Sequence, residues 1–185
     1  MNYLGLNHEK TFEVAGDLNV LLANYHIYYQ KLRNYHWNVE GVNFLDLHAK
    51  FEELYNDAKI KIDEVAERVL TLRLKPMSLM EDYLKVAEVE EHRTPMNDME
   101  MVEDILHDHQ ILIKKMRRII ETADSISDEG TIDMIGGFLS DLEKSSWMLD
   151  AWKQIPRRNP TVYAALFPIK KRKWLNSHSF FPKQK

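Results

Sequence analysis

Two histidines and three acids stand out of the sequence as groups able to hold a metal ion together. His36 and His48 both fall on apolar stripes, one near the end of a helical segment and the other near the start of the next. The Glu40-Gly41 turn between them reverses the chain, so the two imidazoles can lie close together. The second segment also carries Glu52, Asp63 and Glu67. Successive residues of an α-helix rotate by about 100°, which places these acids at about 40°, 60° and 100° from His48. All four polar groups therefore share one face beside the apolar stripe. Carboxylates next to an apolar seam are costly unless something compensates their charge, and a metal ion is one such compensation. The chain contains no Cys, so thiolate ligands and cysteine nucleophiles are excluded. Imidazole with carboxylate suits iron, zinc or manganese.

The spacing sets a limit. His48 and Asp63 lie fifteen residues apart, about 22 Å along a helix axis. One straight helix cannot bring them to one ion. Two antiparallel copies of this helix, related by a two-fold axis, would bring His48 of one near Asp63 of the other. The residues point to a metal site shared between subunits.

The elements that must position these groups are four long helices. Ala15, Leu18, Leu22, Tyr25, Tyr29, Leu32, His36 and Val39 recur at steps of three and four, as do His48, Phe51, Tyr55, Ala58, Ile62, Val65, Val69 and Leu72. A third stripe reads Met99, Val102, Leu106, His109, Ile113, Met116, Ile120, Ala123, and a less regular fourth reads Met134, Ile135, Phe138, Leu142, Leu149, Trp152. Such spacing places one apolar stripe along each helix, and no strand-like alternation competes. Lys75-Pro76 is expected to stop the second helix, and Thr94-Pro95 to cap and open the third. Asp128 to Thr131 separates the third from the fourth. Ser78-x-x-Glu81 reads as a capping box for a short helix near residues 79–86. The long connection around it lets the second and third helices run parallel. The fold class is all-α: a four-helix bundle with a long middle crossover carrying a short helix.

The stretch LNVLLANYHIYYQKLRNYHWNVEGVNFLDLHAKFEELYND, followed by IDEVAER, resembles the ferritin-like mini-ferritin family called Dps (DNA protection during starvation). LEKSSWMLDAWK resembles that family's closing helix, so the likeness spans residues 10–155. It implies a hollow dodecamer of four-helix subunits. It further implies a ferroxidase site between subunits, with His36, His48, Asp63 and Glu67 as catalytic iron ligands and Glu52 as an auxiliary acidic ligand. Ferrous iron would be oxidised there, with hydrogen peroxide as preferred oxidant, and stored inside as ferric mineral, protecting DNA from oxidative damage. Asp128, Glu129 and Asp133 fall where the family often lines its three-fold iron-entry pores.

Charge is distributed unevenly. The net charge is −4, yet residues 157–185 hold eight Lys/Arg and no Asp/Glu. Residues 1–156 form the expected bundle domain and 157–185 a basic tail without a core of its own. Arg157, Arg158, Lys170, Lys171, Arg172 and Lys173 are candidate DNA contacts, and DNA condensation through this tail is the alternative function. No apolar run suits a membrane span or a secretory signal, so the expected location is cytoplasmic, nucleoid-associated if DNA is bound. Other residues read more plainly. Trp37 is expected to pack beside the site, and Tyr25, Tyr28, Tyr29 and Tyr35 to be core or interface aromatics. His107 reads as a surface residue and His109 as a core residue, neither with a carboxylate partner at ligand spacing. Met99, Met116 and Met148 follow core stripes, so no haem is expected.

Overall fold

The computed structural model describes residues 3–93 and 96–154 of the chain. The basic tail, with Arg157, Arg158 and Lys170 to Lys173, lies outside the described residues, as do Thr94 and Pro95. Among the described residues five helices follow one another: α1 (His8–Asn38), α2 (Phe44–Thr71), α3 (Met80–Val86), α4 (Asp98–Asp124) and α5 (Glu129–Gln154). No helix among the described residues is long and apolar enough to cross a membrane.

Contacts between helices fix their directions. Lys31 near the end of α1 meets Asp104 near the start of α4, and Asp17 near the start of α1 meets Arg118 near the end of α4. Likewise His36 of α1 stacks on His48 of α2, while Tyr3 ahead of α1 donates to the Thr71 carbonyl at the end of α2. Both α2 and α4 are thus antiparallel to α1 and parallel to each other, as the long crossover requires. α5 returns antiparallel to α2 and α4, through Arg68–Asp128 and Lys153–Glu103.

The apolar stripes meet in a single core. Leu18, Leu22, Leu32, Phe51, Val65, Val69, Met116, Ile135 and Leu142 are all buried, and each large aliphatic or Phe side chain so buried contributes about 1.5–3 kcal/mol. The α4 seam is wider than its stripe suggested. Met101, Ile105, Leu112 and Ile119 are fully buried, whereas Leu106, Ile113 and Ile120 only flank the core. Met148 departs from expectation: it is 47% exposed on α5, as is its neighbour Trp147 at 67%.

Helix ends are set by local chemistry that differs in three places from the sequence expectation. α2 stops at Thr71, five residues before Pro76, because Arg73 takes a left-handed conformation (φ 67°) and Leu74 N–H bonds back to the Val69 carbonyl. That is a Schellman-type closure, built here on Arg rather than Gly. α4 is opened by Asn97, not by Thr94-Pro95: the Asn97 side chain accepts from Glu100 N–H and the Glu100 carboxylate accepts from Asn97 N–H. The short α3 lies where expected, but its N-cap is Leu79 and no side chain caps it. Ser78 stands one residue too early to do so.

Candidate metal centre

The α1–α2 turn brings His36 and His48 face to face. Their rings stack with centroids 3.8 Å apart and planes 22° apart. Each imidazole Nδ1 lies 2.8 Å from the backbone carbonyl oxygen of the other. A carbonyl can only accept, so each Nδ1 carries a hydrogen, and the tautomer this selects has its lone pair on Nε2. The His36 carbonyl belongs to the last turn of α1, whose carbonyls lack intrahelical donors, so His48 fills a vacancy that the helix end creates. The turn itself depends on Gly41, at φ +103°, a conformation that favours glycine.

Glu52 joins this pair through Tyr55. The Tyr55 hydroxyl donates to Glu52 Oε1 at 3.3 Å, and its ring sits edge-on to His36 with centroids 5.4 Å apart. Asp63 and Glu67 do not join it. They lie along α2, exposed, on the same helical sector, and make no ion pair among the described residues. Leu45, Ile60 and Leu70 belong to that sector and are 79%, 59% and 55% exposed. One chain therefore brings the two imidazoles together with the Tyr55–Glu52 pair beside them, and leaves Asp63 and Glu67 on an exposed, partly apolar face. Trp37, expected to pack beside the site, is 58% exposed and lies under the Arg33 guanidinium.

The acids near the start of α5 differ among themselves. Asp128 is buried, caps α5 through Thr131 N–H, receives the Thr131 hydroxyl at 2.6 Å and pairs with Arg68. Both its oxygens are engaged within the chain. Glu129 and Asp133 are exposed.

A second polar cluster inside the bundle was not expected. The Lys31 ammonium lies 2.8 Å from Asp104 Oδ2 and 2.8 Å from Asp108 Oδ2, and donates to Asp108 Oδ1 at 2.9 Å. Tyr35 donates to Asp104 at 2.7 Å, and His92 of the crossover lies 3.0 Å from its other oxygen. His107, expected to lack carboxylate partners, in fact has both Asp104 and Asp108 within 4.8 Å, the only three-ligand group of one chain among the described residues. Lys31 already supplies the positive charge there. Burial pushes the Asp108 carboxyl up to about 7, although Lys31 pulls it down and Asp104 pushes it up again. The signal in the sequence was Asp108 itself, at the three-four step between Ile105 and Leu112 on a buried seam. His109 is buried as expected, and burial above all holds its imidazole down at about 3.

Comparison with known proteins agrees with this fold. Residues 16–158 match the family model of the ferritin-like domain. The chain is 42% identical over 148 residues to the DNA protection during starvation protein of Porphyromonas gingivalis, covering 80% of this chain and 93% of that one. A Dps protein from Vibrio cholerae O1, described as a member of a broad superfamily of ferritin-like diiron-carboxylate proteins, superposes with a TM-score of 0.80 at 41% identity, over 82% of this chain and 96% of that one. The Dps protein of Bacillus brevis gives 0.76 at 39% identity, over 78% and 97%. With the bundle, its crossover and its paired imidazoles all in place, the chain belongs to the Dps family of ferritin-like proteins.

Proposed function

We propose that this protein is an iron-sequestering ferroxidase. Its substrate Fe(II) binds between two-fold-related subunits and is oxidised, preferably by hydrogen peroxide. The Fe(III) product is stored as mineral within a hollow homo-oligomeric shell of twelve subunits, which keeps reactive iron away from DNA. The observation that carries this reading is the locked pair of His36 on α1 and His48 on α2, with Asp63 and Glu67 exposed further along α2 and out of reach of it.

Imidazole lone pairs lie in the ring planes. Planes stacked at 3.8 Å and tilted by 22° do not converge at the roughly 2.0–2.1 Å expected of a metal–nitrogen bond, so each imidazole serves its own ion. Asp63 and Glu67 of a second copy, brought up by an antiparallel α2 whose Leu45, Ile60 and Leu70 become buried, complete the site. Their carboxylates offset the charge gained as each ion becomes ferric. Two Fe(II) ions supply the two electrons that reduce one peroxide to water, so hydroxyl radical is not released. Exposed Glu129 and Asp133 are the better candidates for guiding iron inward; Asp128 holds the start of α5.

Subunit mixing tests the shared site. A His36→Ala/His48→Ala variant and an Asp63→Asn/Glu67→Gln variant are each expected to lose peroxide-driven ferric absorbance. Co-assembled in equal amounts, they restore about a quarter of the parental sites, because half the two-fold interfaces are mixed and each mixed interface holds one intact site. No recovery in mixed shells of normal size would refute the shared site.

DNA binding is a second reading, favoured by the concentration of eight Lys/Arg in residues 157–185 against an acidic remainder. Phosphate contacts by this segment make retention of DNA fall steeply with salt. A gel shift with and without residues 157–185 decides it, and equal retention by both forms would remove the tail from the account.

A further inference from the structure

One buried tyrosine is wired differently from its neighbours. Tyr28 of α1 is 2% exposed, and its hydroxyl lies 2.7 Å from His109 Nε2, itself 1% exposed on α4. His109 Nδ1 lies 2.7 Å from Ser146 Oγ of α5, and Ser146 spends its only hydrogen on the Leu142 carbonyl at 2.7 Å. Ser146 must therefore accept from His109 Nδ1–H, which leaves the Nε2 lone pair to accept from Tyr28. The chain of hydrogen bonds has one direction: Tyr28 to His109 to Ser146 to Leu142. Tyr25 provides the contrast. Its ring stands edge-on to Tyr28 at 6.2 Å, and its hydroxyl is buried without a hydrogen-bond partner among the described residues.

A phenol that loses an electron becomes a strong acid and must lose its proton at the same time. In a dry core only a hydrogen-bonded base can take that proton. Tyr28 has one; Tyr25 has none. Tyr35 donates to Asp104, but that carboxylate already serves Lys31 and His92, and protonating it would strip a buried ammonium of a counter-ion.

We propose that Tyr28 and His109 form a proton-coupled one-electron donor that quenches hydroxyl-radical-class oxidants formed when a single Fe(II) ion reduces peroxide at the His36/His48 site. This rests on the ferroxidase reading above. Tyr28 gives up one electron, its phenolic proton moves to His109 Nε2, and a neutral tyrosyl radical and an imidazolium remain. The oxidant takes the electron and a proton from solvent and becomes water. Burial resists charge on His109, so the couple yields its electron only to strong oxidants. Tyr28 lies eight residues before His36 on the same helix, about 12 Å along the axis.

Two oxidant sources separate this inference from the iron chemistry. Pulse radiolysis of the assembled protein delivers one-electron oxidants without iron, and electron paramagnetic resonance follows the radicals. A persistent tyrosyl signal is expected in the parent and in Tyr25→Phe, lost in Tyr28→Phe, and lost in His109→Leu, which keeps the phenol but removes its base. Circular dichroism and shell size confirm that each variant is assembled. The same persistent signal is expected after limiting Fe(II) and peroxide in the parent, and is lost there in His36→Ala/His48→Ala while radiolysis still produces it. A signal that survives Tyr28→Phe or His109→Leu overturns the pair. Ferric product without the Tyr28 signal overturns its role at the iron site. Absence of ferric product faults the ferroxidase reading instead, and radiolysis still decides the pair.

Discussion

Asp108 carries a pH dependence whose sign and size follow from its burial. Its carboxyl rises from 3.8 to about 7, with burial as the main cause, Lys31 opposing it and Asp104 adding to it. Above about pH 7 the carboxyl is ionised in both the folded and unfolded chain, and below 3.8 it is protonated in both. Between those values the folded protein holds a proton that the unfolded chain has released. The contribution to stability is therefore complete below the unfolded value and is lost as pH rises through the folded one. One pKa unit corresponds to about 1.36 kcal/mol, so a rise of roughly three units amounts to about 4 kcal/mol. Asp108→Asn cannot ionise and lacks this term. Lys31 keeps Asp104 as a partner in that variant, so a constant offset is expected as well, but only the pH-dependent part reports on ionisation. Urea unfolding at fixed protomer concentration, from about pH 4 to about pH 8, should show the variant gaining about 4 kcal/mol on the parent. Near the upper end this corresponds to roughly 8–16 °C in Tm. A difference between the two proteins that stays constant across the range would refute the assignment of a raised pKa to Asp108.

Two further substitutions probe the α2–α5 junction. Asp128→Ala removes the α5 cap and leaves Arg68, whose side chain is 16% exposed, without its counter-ion; a loss of about 3–5 kcal/mol is expected by chemical denaturation. Gly130→Ala sits inside α5, where helix propensity alone would stabilise by roughly 0.5–1 kcal/mol. Here the added Cβ would stand 3.0 Å from both terminal nitrogens of Arg68, which Asp128 and Thr131 hold in place. Tm should fall, and a rise would show that Arg68 moves aside without cost.

Four long helices, the parallel crossover and a set of candidate metal ligands were legible in the sequence alone. All of these rest on spacing along one chain: steps of three and four for the stripes, a turn at Gly41, and a helix rotation that puts His48, Glu52, Asp63 and Glu67 on one sector. The same rotation and rise showed that His48 and Asp63 cannot meet within one chain, and the exposed acids beside Leu45, Ile60 and Leu70 agree with that. Tertiary structure decided what depends on partners distant in sequence. Neither the reciprocal Nδ1–carbonyl lock of His36 and His48 nor the direction of the Tyr28–His109–Ser146 chain is encoded in a local pattern. The Lys31–Asp104–Asp108 cluster was hidden because α1 and α4 supply its charges from opposite ends of a long connection, and a buried Lys is legible only once its counter-ions are placed. Helix ends fell between these cases: Arg73 adopts a left-handed cap because Leu74 reaches back to Val69, a closure that residue type alone assigns to glycine. Spacing reveals which groups face the same way; only packing reveals which of them touch, and the chemistry of a buried group is set by what it touches.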